Sequence, residues 1–123
     1  MLDALVHASG IAGLLSDVIS VDRVKTYKPD PKCYELVAPA LGVANHDVLF
    51  VSSNGFDVAG AKCFGFRVAW IERGGGRAGA GPDGGPAEFY GLLRGRAERL
   101  GYPADFRIGA LSDLAPLVAS LGE

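Results

Sequence analysis

Three observations predict an α/β fold for this chain. Apolar strand-like runs alternate with helix-like segments, the strongest run is apolar on both faces, and its end breaks into small polar residues. That run is Val48-Leu49-Phe50-Val51-Ser52, continuous rather than alternating, as in a parallel strand covered on both sides. Alternation of strand and helix implies right-handed crossovers and a parallel sheet with helices on both faces. Ligands of such sheets bind beyond the carboxyl ends of the strands, and Ser52, Ser53 and Asn54 stand at such an end. The 123 residues suffice for one small domain with a single core.

Taken in order, residues 1–9 read as an amphipathic helix with Leu2, Leu5 and Val6 on one face and Gly10 as its stop. The helix has no N-terminal cap, so the chain is expected to begin in mid-element. Residues 18–21 read as a short strand and 22–29 as a loop. Asp30 caps the next helix, with Pro31 in its first turn, where a missing N–H costs nothing. That helix is expected to run to about Leu41, to bury Tyr34, Val37, Ala38 and Leu41, and to stop at Gly42; Pro39 should bend or loosen its last turn. After the strand at 48–52 come a helix over 56–64, Gly65, and a strand Arg67-Val68-Ala69-Trp70-Ile71. Residues 74–86 hold seven glycines and two prolines. They lack the GxxxxGK[ST] order of a phosphate-binding loop and read as a flexible surface insertion. Residues 87–100 read as helical, 106–108 as an edge strand, and Ser112 as the cap of a final helix through Leu121. The implied division is a core part over 1–73, the insertion over 74–86, and a helical part of the same domain over 87–123.

Composition narrows the function. Nearly half the residues are hydrophobic and about a fifth are charged, with a net charge of −2. That is ordinary for a globular protein and gives no broad attraction to nucleic acid or anionic membrane. No run approaches the ~18 apolar residues that span a bilayer, and the first residues lack the basic region of a signal peptide. The two cysteines, Cys33 and Cys63, have no CxxC spacing and read as buried thiols of a reducing cytoplasm. His7 and His46 have no metal-ligand spacing and read as surface or helix-end residues.

Two segments carry chemistry, Lys28-Pro29-Asp30-Pro31 and Phe50-Val51-Ser52-Ser53-Asn54-Gly55-Phe56-Asp57. Lys28 precedes a proline and so is extended, which suits a side chain projecting from a loop into a site; alone it reads first as a solvated surface lysine, the usual fate of the residue. Asp57 is one helical turn past the polar residues, where the helix dipole favours an acid; Ser52 to Asn54 read equally as a capping turn. Together they can place an ammonium, a hydroxyl, an amide and a carboxylate around one small anionic site, with lysine and aspartate keeping each other charged. Tyr34 reads as part core and part site wall, and Phe56 as an apolar wall. No aspartate, serine or cysteine sits in a recognisable nucleophile motif.

At these residues the chain resembles the haloacid dehalogenase (HAD) superfamily, specifically the L-2-haloacid dehalogenases. The resemblance runs through Ser20-Val21-Asp22-Arg23-Val24-Lys25-Thr26-Tyr27-Lys28-Pro29-Asp30-Pro31-Lys32-Cys33-Tyr34, then 50–61, then Phe64-Gly65-Phe66-Arg67-Val68-Ala69-Trp70, and covers about residues 1–73. It implies an α/β fold with a partial Rossmann-like, HAD-type parallel sheet flanked by helices and lacking the N-terminal strand and the cap. Phosphatases of the superfamily carry paired acids where this chain has Ser52-Ser53-Asn54. Asp57 beside neutral ligands is a poor Mg²⁺ site, so no metal and no cofactor are implied.

By the same resemblance, an aspartate ending the family's first strand attacks C2 of a 2-haloalkanoate and expels halide with inversion. Water then hydrolyses the ester and releases the 2-hydroxy acid. Lys28 would position the nucleophilic carboxylate, Asp57 would orient Lys28 and help activate the water, and Ser52 and Asn54 would hydrogen-bond carboxylates. Tyr34, Ser53 and Phe56 would contact substrate, and the family favours a homodimer. The first strand with its nucleophile, the cap, and the Ser/Thr-Asn turn expected before Met1 have no counterpart in the sequence. The expectation is therefore an N-terminally truncated dehalogenase that by itself turns over nothing. The alternatives are a phosphatase or phosphonatase of the same superfamily, and a non-catalytic remnant or binding module.

Overall fold

The structure, a computed structural model, describes residues 1–73 and 100–122. Its elements are α1 (Leu2–Ala8), α2 (Pro31–Glu35), α3 (Val37–Leu41), β1 (Leu49–Ser52), α4 (Gly55–Phe64), β2 (Arg67–Ile71), β3 (Phe106–Ile108) and α5 (Leu114–Leu121). The three strands form one parallel sheet in the order β1-β2-β3. The glycine-rich stretch 74–86 and most of the expected helix 87–100 lie outside the described residues.

β2 is the central strand, and the core gathers on its two faces. Tyr34, Val58, Phe66, Val68 and Trp70 pack on the side carrying α2 and α4. Ala69, Ile71 and Ile108 pack on the other, against Leu114 and Leu117 of α5. Val68 and Ala69 are completely buried, whereas all four residues of β1 are only half-buried. The run at 48–52 reads in the sequence as a strand covered on both faces, and its residues are less enclosed than those of β2. Among the described residues β1 pairs laterally with β2 alone.

Four expectations are corrected. Residues 18–21 form no strand. Val21–Val24 is a 3-10 turn in which the Ser20 hydroxyl accepts from the Asp22 amide at 3.3 Å, a local bond that competes with sheet pairing. The helix expected over 30–41 is divided at Leu36; Pro39 has no N–H to give the Glu35 carbonyl and crowds it. In consequence Leu41, expected to be buried, is exposed. The N-cap position of the last helix is Asp113 rather than Ser112 and makes no side-chain capping bond; its Oδ2 instead accepts from the upstream Gly109 and Ala110 amides, each at 3.0 Å. Cys63, expected to be buried, is exposed, while Cys33 is buried and its thiol pKa is raised, by burial first and then by the charge of Asp30.

The remaining elements match the reading. Asp30 caps α2 through Oδ1 to the Lys32 amide at 2.9 Å. Gly42 and Gly65 end their helices in the left-handed conformation, which glycine adopts without the Cβ penalty. Among the described residues no helix is long and apolar enough to cross a membrane.

Candidate active site

The site is built where β1 ends. Ser52 is the last residue of β1, and Asn54 stands at the N-cap of α4, its carbonyl accepting from the Asp57 and Val58 amides at 3.1 and 3.0 Å. The tight turn puts Asp57 in the first turn of α4, facing back to the strand end. Asp57 is 4% exposed, and a buried carboxylate persists only where partners replace its water. Three side chains do so. Tyr34 donates its hydroxyl to Oδ1 at 2.8 Å, Ser52 donates to Oδ2 at 2.9 Å, and Lys28 Nζ donates to Oδ2 at 3.2 Å.

Lys28 arrives from the loop before α2, across a cis bond to Pro29. Its side chain is 40% exposed against 6% for Asp57, so one end of the ion pair is inside the protein and the other faces solvent. The ammonium also lies over the Phe50 ring, 5.1 Å from its centroid, a contact that favours the cation. Tyr34 is 1% exposed and meets Phe50 and Phe66 edge-on. Burial first, then the bond to Asp57, raises its phenol pKa far above the ordinary value of 10.0, so it stays a proton donor to the carboxylate.

The expected residues therefore divide. Lys28, Tyr34, Ser52 and Asp57 form one hydrogen-bonded cluster. Tyr34 takes part from inside, through Asp57, rather than from an open wall. Asn54 contributes its backbone to the turn, with its amide N–H on Ser52 Oγ at 3.3 Å and no side-chain capping bond. Ser53 is exposed and its carbonyl accepts from the Trp70 indole at 3.3 Å. Phe56 instead helps line an apolar cavity of about 470 Å³ with Pro29, Ala59, Gly60, Phe64 and Tyr102.

Two contributors were missed. Phe50 was read only as strand core, although it seats the lysine. Gly60 was read only as part of a motif. A Cβ there would fall 2.6 Å from the Tyr34 hydroxyl and 2.8 Å from Pro29 Cβ. Its position one turn past Asp57 on the same helix is the signal that could have found it. His7 and His46 are both exposed and outside the cluster. Among the described residues no three His, Cys, Asp or Glu side chains come together as a metal site.

The lysine–aspartate pair stands at the carboxyl end of a parallel sheet, where ligands of α/β folds bind. Residues 1–65 match the model of the haloacid dehalogenase-like hydrolases. The chain belongs to that family. It is 51% identical over 115 residues to haloacetate dehalogenase H-2 of Moraxella sp. (strain B), covering 94% of this chain and 43% of that protein. It is 44% identical over 125 residues to the (S)-2-haloacid dehalogenase of Xanthobacter autotrophicus, covering 98% of this chain and 49% of that one.

Among solved structures, the L-2-haloacid dehalogenase of Xanthobacter autotrophicus superposes with a TM-score of 0.83 at 41% identity, over 97% of this chain and 50% of its own. A second structure of that enzyme, with chloropropionic acid covalently bound, gives 0.80 over 96% and 50%. A HAD phosphatase from Thermococcus onnurineus gives 0.66 at 26% identity, over 92% of this chain. The chain thus spans about half the length of the curated relatives it matches.

Proposed function

We propose that this chain carries the lysine–aspartate half of a 2-haloacid dehalogenase site. The reaction is hydrolytic removal of halide from a short 2-haloalkanoic acid to give the 2-hydroxy acid. The observation behind this reading is the Asp57 carboxylate, buried and held by Tyr34, Ser52 and Lys28, with Lys28 the most exposed of the four.

In this reading Lys28 presents a fixed positive charge toward the open side, where it holds a nucleophilic carboxylate ionised and in line with C2 of the haloacid. Displacement makes an ester and frees halide. Asp57 keeps Lys28 oriented and helps a water to attack the ester carbonyl, which returns the carboxylate and releases the hydroxy acid. Splitting the displacement in two in this way is nucleophilic catalysis, and the positioned ammonium supplies its electrostatic part. Ser52 and Asn54 serve as hydrogen-bond donors at the turn, Ser53 and Phe56 border the substrate, and Tyr34 acts on Asp57 from behind. No residue of the sequence matches the family's nucleophile motif, so the reading assigns that carboxylate to a strand beyond these residues. The enzyme is assigned as metal-independent, cytoplasmic and homodimeric, by the resemblance.

The test fuses this chain to the part of the Xanthobacter enzyme it does not match and follows chloride release from 2-chloropropionate. The expected result is turnover unaffected by EDTA and lowered at least about a hundredfold by Lys28→Ala and by Asp57→Ala, the scale of one lost electrostatic or proton-transfer group. Full activity of either variant would sink the assignment. Loss of activity with EDTA would favour a phosphatase-like metal site.

A further inference from the structure

Ser52, Trp70 and Arg107 form one row across the carboxyl end of the sheet: Ser52 pairs with Trp70, and Trp70 with Arg107. Paired residues of neighbouring strands project on the same face. That face carries α4, because Ser52 bonds to Asp57 and Trp70 packs with Val58. Trp70 is 5% exposed, so its indole N–H needs an acceptor inside the protein. It takes the Ser53 carbonyl at 3.3 Å, in the turn between β1 and α4 rather than in either element. From the other side the Arg107 guanidinium lies over the indole, 5.0 Å from the ring.

We propose that Trp70 is a positioning residue for the site. Its indole N–H holds the Ser53 carbonyl and with it the turn that presents Ser52, Asn54 and Asp57, and Arg107 holds the indole in that orientation. β3, which contributes no residue to the charged cluster, thereby acts on it through one aromatic ring. What the turn does rests on the dehalogenase reading; that the turn is held rests on the row alone.

Backbone amide exchange, followed by NMR on this chain, tests the proposal without substrate and so stands apart from failure of the dehalogenase reading. Trp70→Phe keeps an aromatic ring and removes the donor. It should speed exchange of the Asn54, Asp57 and Val58 amides about tenfold, the factor expected for loss of one hydrogen bond. The Arg67 and Asp105 amides, bonded to the Val48 and Val68 carbonyls, should keep their rates. Uniform acceleration across the sheet, or none at the turn, would overturn the proposal. Arg107 is exposed, so Arg107→Gln leaves the core intact. It should speed the same three amides by a smaller factor and move the indole N–H resonance of Trp70, the chain's one tryptophan. Arg107→Lys should restore both, since it keeps a cation above the ring; failure of that rescue would remove Arg107 from the device.

Discussion

Asp57 shows how little of a functional group's setting depends on its immediate neighbours in sequence. Tyr34, 23 residues away, gives it a phenol donor, and Lys28, 29 residues away, gives it a cation. Solvent at the exposed lysine screens the ion pair, so the buried hydroxyl is the steadier partner. Tyr34→Phe keeps the ring packing and removes that donor. It should cost about 2 kcal/mol, as for a hydrogen bond to a charged group, read as a lower urea midpoint at constant m-value. A second signature concerns alkaline pH. Because the folded pKa of Tyr34 lies above its ordinary 10.0, its contribution is complete below pH 10 and is lost as pH rises beyond it. Tyr34→Phe should therefore flatten the fall of stability above pH 10. An identical alkaline slope in both proteins would show that Tyr34 does not drive it. The sequence marked Lys28, Ser52 and Asp57 by residue type and place. It placed Tyr34 on the buried face of its helix but not against Asp57, because helical spacing gives the face of a residue and not what it meets.

Elements meet at two close approaches. α4 lies against the Lys28-Pro29 loop and the Tyr34 ring only because residue 60 has no side chain. Gly60→Ala gains about 1 kcal/mol of helix propensity, but its methyl must displace Pro29 and the Tyr34 hydroxyl. Overpacking of that kind costs about 1–3 kcal/mol, so the expected net result is destabilisation together with a weaker Tyr34–Asp57 bond. A raised melting temperature in Gly60→Ala would show that the loop yields freely.

The second approach joins α4, β2 and β3. Asp105 accepts from Lys62 and, at 2.8 Å, from the Val68 amide. Burial pushes its pKa up, but these bonds outweigh it, and the net shift is downward. A depressed folded pKa gives stability that is present above the ordinary carboxylate range near 3.8 and is lost as pH falls through the folded value. Asp105→Asn should lower stability at neutral pH and reduce its dependence on acid below pH 4. An unchanged acid profile would place the acid sensitivity elsewhere. Of the elements, β2, α4 and β3 were legible because apolar runs and glycine stops agree there. Val18 to Val21 misled because three apolar residues around one serine carry no sign of whether a strand lies beside them. The division at Leu36 was half legible: Pro39 announced a disturbance, but the place of the break depends on the Glu35 carbonyl it crowds.

At the scale of the molecule, the sheet among the described residues has three strands, and one of its margins is β1. Natural sheets blunt such margins with charge, proline or cover, and β1 reads Leu-Phe-Val-Ser. Leu2, Leu5, Leu14 and Leu15 are also exposed. Apolar surface of this kind marks a place where another surface docks. This chain alone should associate with itself as its concentration rises, seen as a concentration-dependent sedimentation coefficient. A single monomeric species across a wide range of concentration would mean that the margin and these leucines are inert. The α/β class and parallel sheet were legible from alternation alone, but which strand is central was not. Apart from Ser52 and Arg67 at their ends both runs are apolar, and only the pairing order assigns β2 the middle.

The sequence separation of 29 between Lys28 and Asp57 has a consequence for how the protein comes together. Closing a flexible loop of that length costs about 3 kcal/mol of chain entropy, more than one half-wet ion pair returns. The two groups therefore do not find each other in a loosely collapsed chain. They meet only when α4 docks on the sheet and the aromatic cluster around Tyr34 closes behind them. Assembly of the Lys28–Asp57 cluster and completion of the core are one cooperative event, and a partly folded chain lacks both.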